Sequence, residues 1–95
     1  MYTIYVVFQC LPGQREAFVE RVKREGILAD IRAEEGCLRY EYYFSEANER
    51  ELLLIEAWET PNHQKVHLEQ PHMARLRALK GDYIESTAIG EFTVR

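Results

Sequence analysis

Glu56, Trp58, His63, His67 and His72 all fall in one stretch, Leu52 to Asp82, and acid, indole and imidazole crowd together nowhere else in the chain. An imidazole titrates near neutral pH, so it can take or give a proton at physiological pH. Glu56 and Trp58 stand two apart on a predicted strand and share a face with Leu52 and Leu54. A carboxylate among such neighbours needs a partner or a raised pKa. A structural bond to a donor on a covering helix accounts for Glu56 as well as a pocket role does. Trp58 by itself reads as a core or interface residue.

His63 and His67 are four apart, on one face of a predicted helix. Such a pair can ligate a metal, with His72 and Glu56 able to complete a site. No further ligand pattern accompanies it, and no metal is expected. His63 lies in the helix's first turn, where positive charge is disfavoured, and is expected to be exposed and neutral. His67, flanked by Val66 and Leu68, is the better candidate to face a pocket, with a hydrogen-bonded core histidine as the equal alternative. Tyr40 and Tyr42 share a face of another strand. If that face is the one carrying Glu56 and Trp58, phenol, indole, carboxylate and imidazole converge on a site suited to a flat aromatic ligand with a few hydroxyls. The register of the intervening hairpin decides this, and the sequence leaves it open. Gly-rich phosphate loops, nucleophile elbows and zinc-type cysteine spacings are missing, and no flavin, nicotinamide or pyridoxal site is recognisable.

These residues need a scaffold. Tyr2 to Cys10 is rich in aromatic and β-branched residues and reads as a strand ended by Pro12-Gly13. Phe18, Val19 and Val22 then recur at helical spacing. Gly26 interrupts the helix, Ile27, Leu28 and Ile31 resume it to Glu35, and Gly36 suits a left-handed stop. Cys37 to Ser45 is predicted as the second strand, with Leu38, Tyr40, Tyr42 and Phe44 on one face. Glu51 to Glu59 is the third, joined to it as a hairpin. Thr60 can cap a helix with Pro61 at its first position. Pro71 opens another helix in the same way, and Gly81-Asp82 ends it. Ile84 to Val94 is the last strand. The order β-α-β-β-α-α-β predicts one α+β domain over residues 1–95, an antiparallel sheet with its helices on one face.

Of the 95 residues, 46% are hydrophobic, more than so small a body easily hides alone. The third strand sharpens this: Leu52, Leu54 and Trp58 point one way, Leu53, Ile55 and Ala57 the other. Helices cover one face only, so the second predicts a homodimer with sheets packed face to face. A net charge of −4 with interspersed signs argues against a nucleic-acid partner. The apolar run Ile4 to Phe8 is too short to span a membrane. With no basic leader visible, and Cys10 and Cys37 lacking CxxC spacing, free thiols and a cytoplasmic location are expected.

The segments EEGCLRY (Glu34 to Tyr40), IEAWE (Ile55 to Glu59) and HLEQPHM (His67 to Met73), with KGD at Lys80 to Asp82, together resemble the antibiotic biosynthesis monooxygenase family, and within it the small quinol monooxygenases. The resemblance runs over essentially the whole chain. It implies a ferredoxin-like α+β fold whose two sheets form a dimeric α/β barrel. It also implies oxygenation of quinols or phenols by O₂, without metal or organic cofactor, in a pocket between sheet and helices. Carried onto this chain, His67 is the base, Trp58 and Tyr40 line or stack on the ring, Glu56 orients His67 or a hydroxyl, and His72 is a second acid/base. Tyr42 joins the expected substrate-binding set.

Two branches of the superfamily fit less well. Where the haem-degrading branch carries Asn, Trp and His, this chain has Val7, His67 and Arg77, so haem degradation is not expected. The autoinducer-processing isomerases, which share the Glu-Glu-Gly and Pro-His elements, carry a His in the first helical region, here Gly26-Ile27-Leu28. An isomerase of a phosphorylated hydroxy-ketone is nevertheless the competing enzymatic reading, favoured by Lys or Arg near the pocket. A non-catalytic dimeric ligand-binding module is the third.

Overall fold

The structure, a computed structural model, describes residues 1–92. β1 (Tyr2–Cys10), α1 (Arg15–Arg24) and α2 (Ile27–Arg32) lead into β2 (Cys37–Phe44) and β3 (Glu51–Trp58); α3 (Pro61–Leu68), α4 (Pro71–Lys80) and β4 (Ile84–Glu91) follow. The sheet has the order β2-β3-β1-β4 with every neighbouring pair antiparallel. This is the ferredoxin-like α+β arrangement expected, with the helices on one face. The predicted end of the last strand at Val94 lies outside the described residues. No helix among the described residues is long and apolar enough to cross a membrane.

Strand faces follow from period-two alternation. Ile4, Val6, Phe8 and Cys10 on β1 and Leu52, Leu54, Glu56 and Trp58 on β3 are buried beneath the helices. Against them α1 packs Phe18, Val19 and Val22, α2 packs Ile27, Leu28 and Ile31, and α4 packs Met73 and Leu76. Tyr5, Val7, Leu53 and Ile55 occupy the opposite face, where they are only half-buried. Both cysteines are free thiols.

Four local expectations are corrected. The first helical region is two helices, because Gly26 adopts φ 77°, a left-handed conformation that ends one helix and caps the next. The second of these stops at Arg32 rather than Glu35, so Glu34 leaves the helix. Gly36 is left-handed as predicted, at φ 80°, but it turns the chain into β2, not the helix end. A side chain there would also collide with the His63 imidazole. Leu38 does not share the inner face with Tyr40 and Tyr42: a register shift between Cys37 and Arg39 turns it out to solvent.

α3 is the odd member of the helical layer. Thr60 caps it, its hydroxyl oxygen accepting from the His63 backbone N–H, and Pro61 opens it, as the local chemistry predicts. Yet Val66 and Leu68 are each nearly half exposed, while the one buried residue of the helix is His67. An amphipathic helix normally docks on an apolar stripe. This one docks on an imidazole.

Candidate active site

The hairpin register settles the convergence that the sequence leaves open. Tyr40 pairs with Glu56, and Tyr42 with Leu54, so Tyr40, Tyr42, Glu56 and Trp58 share the helix-covered face. His67 descends from α3 onto the same face. Its ring lies 4.6 Å from that of Trp58 and 5.6 Å from that of Tyr40, centroid to centroid. His67 and Trp58 are fully buried.

The partner of His67 is Glu34, which sequence reasoning did not single out. Nδ1 of His67 lies 2.8 Å from Glu34 Oε2, and Nε2 of His72 lies 2.8 Å from the same oxygen. An ionised carboxylate only accepts, so both nitrogens are the protonated ones. For a neutral His67 this leaves the lone pair on Nε2. That atom is buried and has no hydrogen-bond partner among the described residues. A buried, unpartnered acceptor is costly unless something else fills the place.

Glu56 was expected to orient His67 or a hydroxyl. Instead its Oε1 accepts from Trp58 Nε1 at 3.1 Å, while Glu34 holds His67. Burial raises the pKa of Glu56, and the Trp58 hydrogen bond and the nearby His67 work against that rise. Burial likewise holds the phenols of Tyr40 and Tyr42 above the usual tyrosine range. The Tyr42 hydroxyl has no partner among the described residues. Its ring packs edge-on against Tyr40 and Phe18.

A cavity of about 270 Å³ opens between the sheet and the α3–α4 layer. His67, Glu56 and Tyr40 form part of its wall, and Ile4, Val6, Leu54, Met73 and Leu76 make much of the rest apolar. An apolar cavity of about 150 Å³ accepts a benzene ring, so this one accommodates a substituted ring or two fused rings. Trp58, Tyr42 and His72 stand behind the wall: Trp58 against His67 and Glu56, Tyr42 against Tyr40, and His72 on Glu34.

The metal-like pair seen in the sequence does not form. His63 is engaged by Thr60, Oγ1 to Nδ1 at 2.7 Å. The group with ligand chemistry is Glu34, His67 and His72, whose candidate donor atoms all lie within 4.8 Å of one another. A cation there would take two imidazole nitrogens and a carboxylate oxygen. Both nitrogens now donate hydrogen bonds to that oxygen, so a metal would first displace two protons.

The model of the antibiotic biosynthesis monooxygenase family matches residues 1–79. The chain belongs to this family. It is 31% identical over 96 residues to "Probable quinol monooxygenase YgiN" of Escherichia coli (strain K12), with 90% of each chain covered. Among solved structures it resembles Rv0793 from Mycobacterium tuberculosis at 25% identity and TM-score 0.80, over 99% of this chain and 94% of that one. PA3566 from Pseudomonas aeruginosa superposes with TM-score 0.82 at 24% identity, over 99% and 93%.

Within this family member, Glu34 is the residue that helical periodicity concealed. It sits in the Glu34-Glu35-Gly36 segment on which the resemblance was read, but its carboxylate meets residues 33 and 38 positions away. Gly36 was the available signal. A left-handed glycine just after two acids marks a turn in which an acid can leave the helical surface.

Proposed function

We propose that this protein is a monooxygenase of quinol-like aromatics that draws its electrons from the substrate and needs no metal or organic cofactor. The observation that carries the proposal is the free, buried Nε2 of His67, a residue of the wall of a largely apolar cavity, with its other nitrogen tied to a carboxylate. It is the arrangement a base requires: one ring nitrogen of a cavity-lining residue is left without a protein partner, and the positive charge the ring acquires meets Glu34.

In this reading the substrate's phenolic O–H gives its proton to His67 Nε2. The resulting anion passes one electron to O₂, and the ring radical and superoxide combine at a ring carbon. The imidazolium returns its proton to the peroxide. Loss of water, taking the hydrogen from that carbon, leaves a new carbonyl on the substrate. One atom of O₂ enters the product and the other leaves as water. Tyr40 and the apolar wall position the ring. Trp58 and Tyr42 support His67 and Tyr40 from behind, and the apolar wall shields the reactive anion. His72, on the outer side of Glu34, is a second acid/base that can exchange protons with solvent.

A homodimer belongs to the same proposal. Tyr5, Val7, Leu53 and Ile55 present apolar surface on the sheet face that the helices leave uncovered, and a second copy would bury it.

One observation favours the isomerase reading: Arg77 and Lys80 belong to the cavity wall, and a phosphorylated hydroxy-ketone would need such cations. The apolar character of the remaining wall favours the aromatic substrate. The deciding experiment is oxygen uptake with a panel of benzene and naphthalene hydroquinones in the presence of chelator. Wild-type protein should consume O₂, and His67→Gln should reduce the rate to the uncatalysed level. Undiminished turnover by His67→Gln would dismiss His67 as the base.

A further inference from the structure

α4 presents Met73, Leu76, Arg77 and Lys80 to the cavity, an i, i+3, i+4, i+7 face. The first two belong to the core. Arg77 donates from Nη1 to the Leu68 carbonyl at 3.2 Å, closing the end of α3. Lys80 has no such duty. Its ammonium lies 5.0 Å above the centre of the Phe8 ring, half-buried. No carboxylate among the described residues pairs with it.

We infer that Lys80 forms an anion subsite at the end of the cavity away from His67, and that the aromatic substrate carries a carboxylate there. The inference rests on the reading of the cavity as an aromatic-substrate site, and it names a feature of that substrate.

The strand register gives the layout. Ile4 pairs with Glu56, which pairs with Tyr40, so the proton-transfer end of the cavity lies across Ile4. Phe8, under the Lys80 ammonium, pairs with Thr87, whose side chain also lines the cavity. Ile4 and Phe8 are four residues apart on one strand, about 13 Å at roughly 3.3 Å per residue. A hydroxyl offered to His67 and an anion offered to Lys80 would therefore sit at opposite ends of one elongated aromatic ligand.

A half-buried ammonium without a counter-ion is unfavourable, and the aromatic face of Phe8 compensates it only in part. Burial and the neighbouring Arg77 both push the Lys80 pKa down, and an anion bound beside the ammonium would push it back up. One free ammonium suits a monoanion.

Calorimetric titration with 2-naphthol and 6-hydroxy-2-naphthoate tests this directly, the two ligands differing by the carboxylate alone. Wild-type protein should bind the carboxylate about tenfold more tightly at low salt, the scale of one charge-assisted hydrogen bond. Lys80→Met should abolish that preference and leave 2-naphthol binding unchanged, which also reports an intact cavity. Lys80→Arg should keep the preference. Equal affinities in wild type, no binding of either ligand, or a preference that survives Lys80→Met would overturn the subsite. Turnover is read separately. Absent oxygen uptake with an intact carboxylate preference removes the oxygenase and leaves the subsite, and the reverse result removes only the subsite.

Discussion

Replacing Glu34 by Gln keeps the shape of the side chain and removes its charge. In the wild-type arrangement one oxygen accepts from His67 Nδ1 and His72 Nε2, each at 2.8 Å. Glutamine has one accepting oxygen and one donating nitrogen, so whichever way its amide turns, it loses part of what the carboxylate did. If the oxygen serves His67, the imidazolium formed by proton abstraction faces a neutral acceptor. A hydrogen bond to a charged group contributes about 1.5–3 kcal/mol against about 0.5–1.5 for a neutral one, so the loss is about 1.5 kcal/mol, or roughly tenfold in rate. If the amide nitrogen faces His67, Nδ1 must become the acceptor, and the proton moves to Nε2, where the base is needed. Restoring the productive tautomer then costs a further ~1–2 kcal/mol, comparable to breaking one buried hydrogen bond. Together these place kcat of Glu34→Gln about a hundredfold below wild type. KM should change much less, since Glu34 does not itself line the cavity and reaches it only through His67. The assay is steady-state oxygen uptake with the best hydroquinone, alongside a thermal melt to confirm folding. Combining Glu34→Gln with His67→Gln should cost no more than His67→Gln alone, because the two act as one unit. A kcat within threefold of wild type, or fully additive losses in the double variant, would refute the role given to Glu34.

The buried acid of β3 yields a pH-dependent outcome. Burial raises the Glu56 pKa, so between the unfolded and folded values the native state holds the proton more tightly than the unfolded chain does. Wild-type stability therefore falls as pH rises through that window. Glu56→Gln, which cannot ionise and can still accept from Trp58, should gain stability relative to wild type between pH 4 and pH 7. Urea midpoints at the two pH values measure this, and a relative gain on going to lower pH would contradict it. On the opposite face, Ile55→Lys places a charge where the proposed dimer would bury it. Sedimentation should show a dimer for wild type and a monomer for the variant, and a wild-type monomer would sink the face-to-face assembly.

How much of this can be read from residues alone depends on how local the cause is. Thr60-Pro61 and Pro71 mark helix starts because capping and the missing proline N–H act within a turn, and both helices begin there. The two-sided character of β3 is equally local, since alternation assigns Leu52, Leu54, Glu56 and Trp58 to one face and Leu53, Ile55 and Ala57 to the other. Leu38 misled because one extra residue in β2 reverses the face of everything before it. The partner of His67 was beyond reach for a different reason. Glu56 was the acid that strand alternation placed on the covered face, but its oxygen is taken by the indole two residues along the same strand. Only the packing of α2 on β2 and α4, with the turn after it bonded through the Gly36 carbonyl to the Glu59 N–H just past β3, brings Glu34 to the imidazoles.

That placement makes Glu34 the hub of the site. Glu34 follows α2, His67 ends its bond from the penultimate residue of α3, and His72 reaches the same oxygen from the first turn of α4. One carboxylate oxygen thus ties α3 and α4 to the turn after α2, where apolar packing from α3 is almost missing. An apolar residue at position 67 would pack α3 without needing a hydrogen-bond partner, so burying an imidazole there sacrifices stability. The cost of burial is offset at Nδ1, which is satisfied, but not at Nε2. A purely structural histidine would have both nitrogens satisfied. The atom left free is the one that a proton-bearing ligand in the cavity would complete.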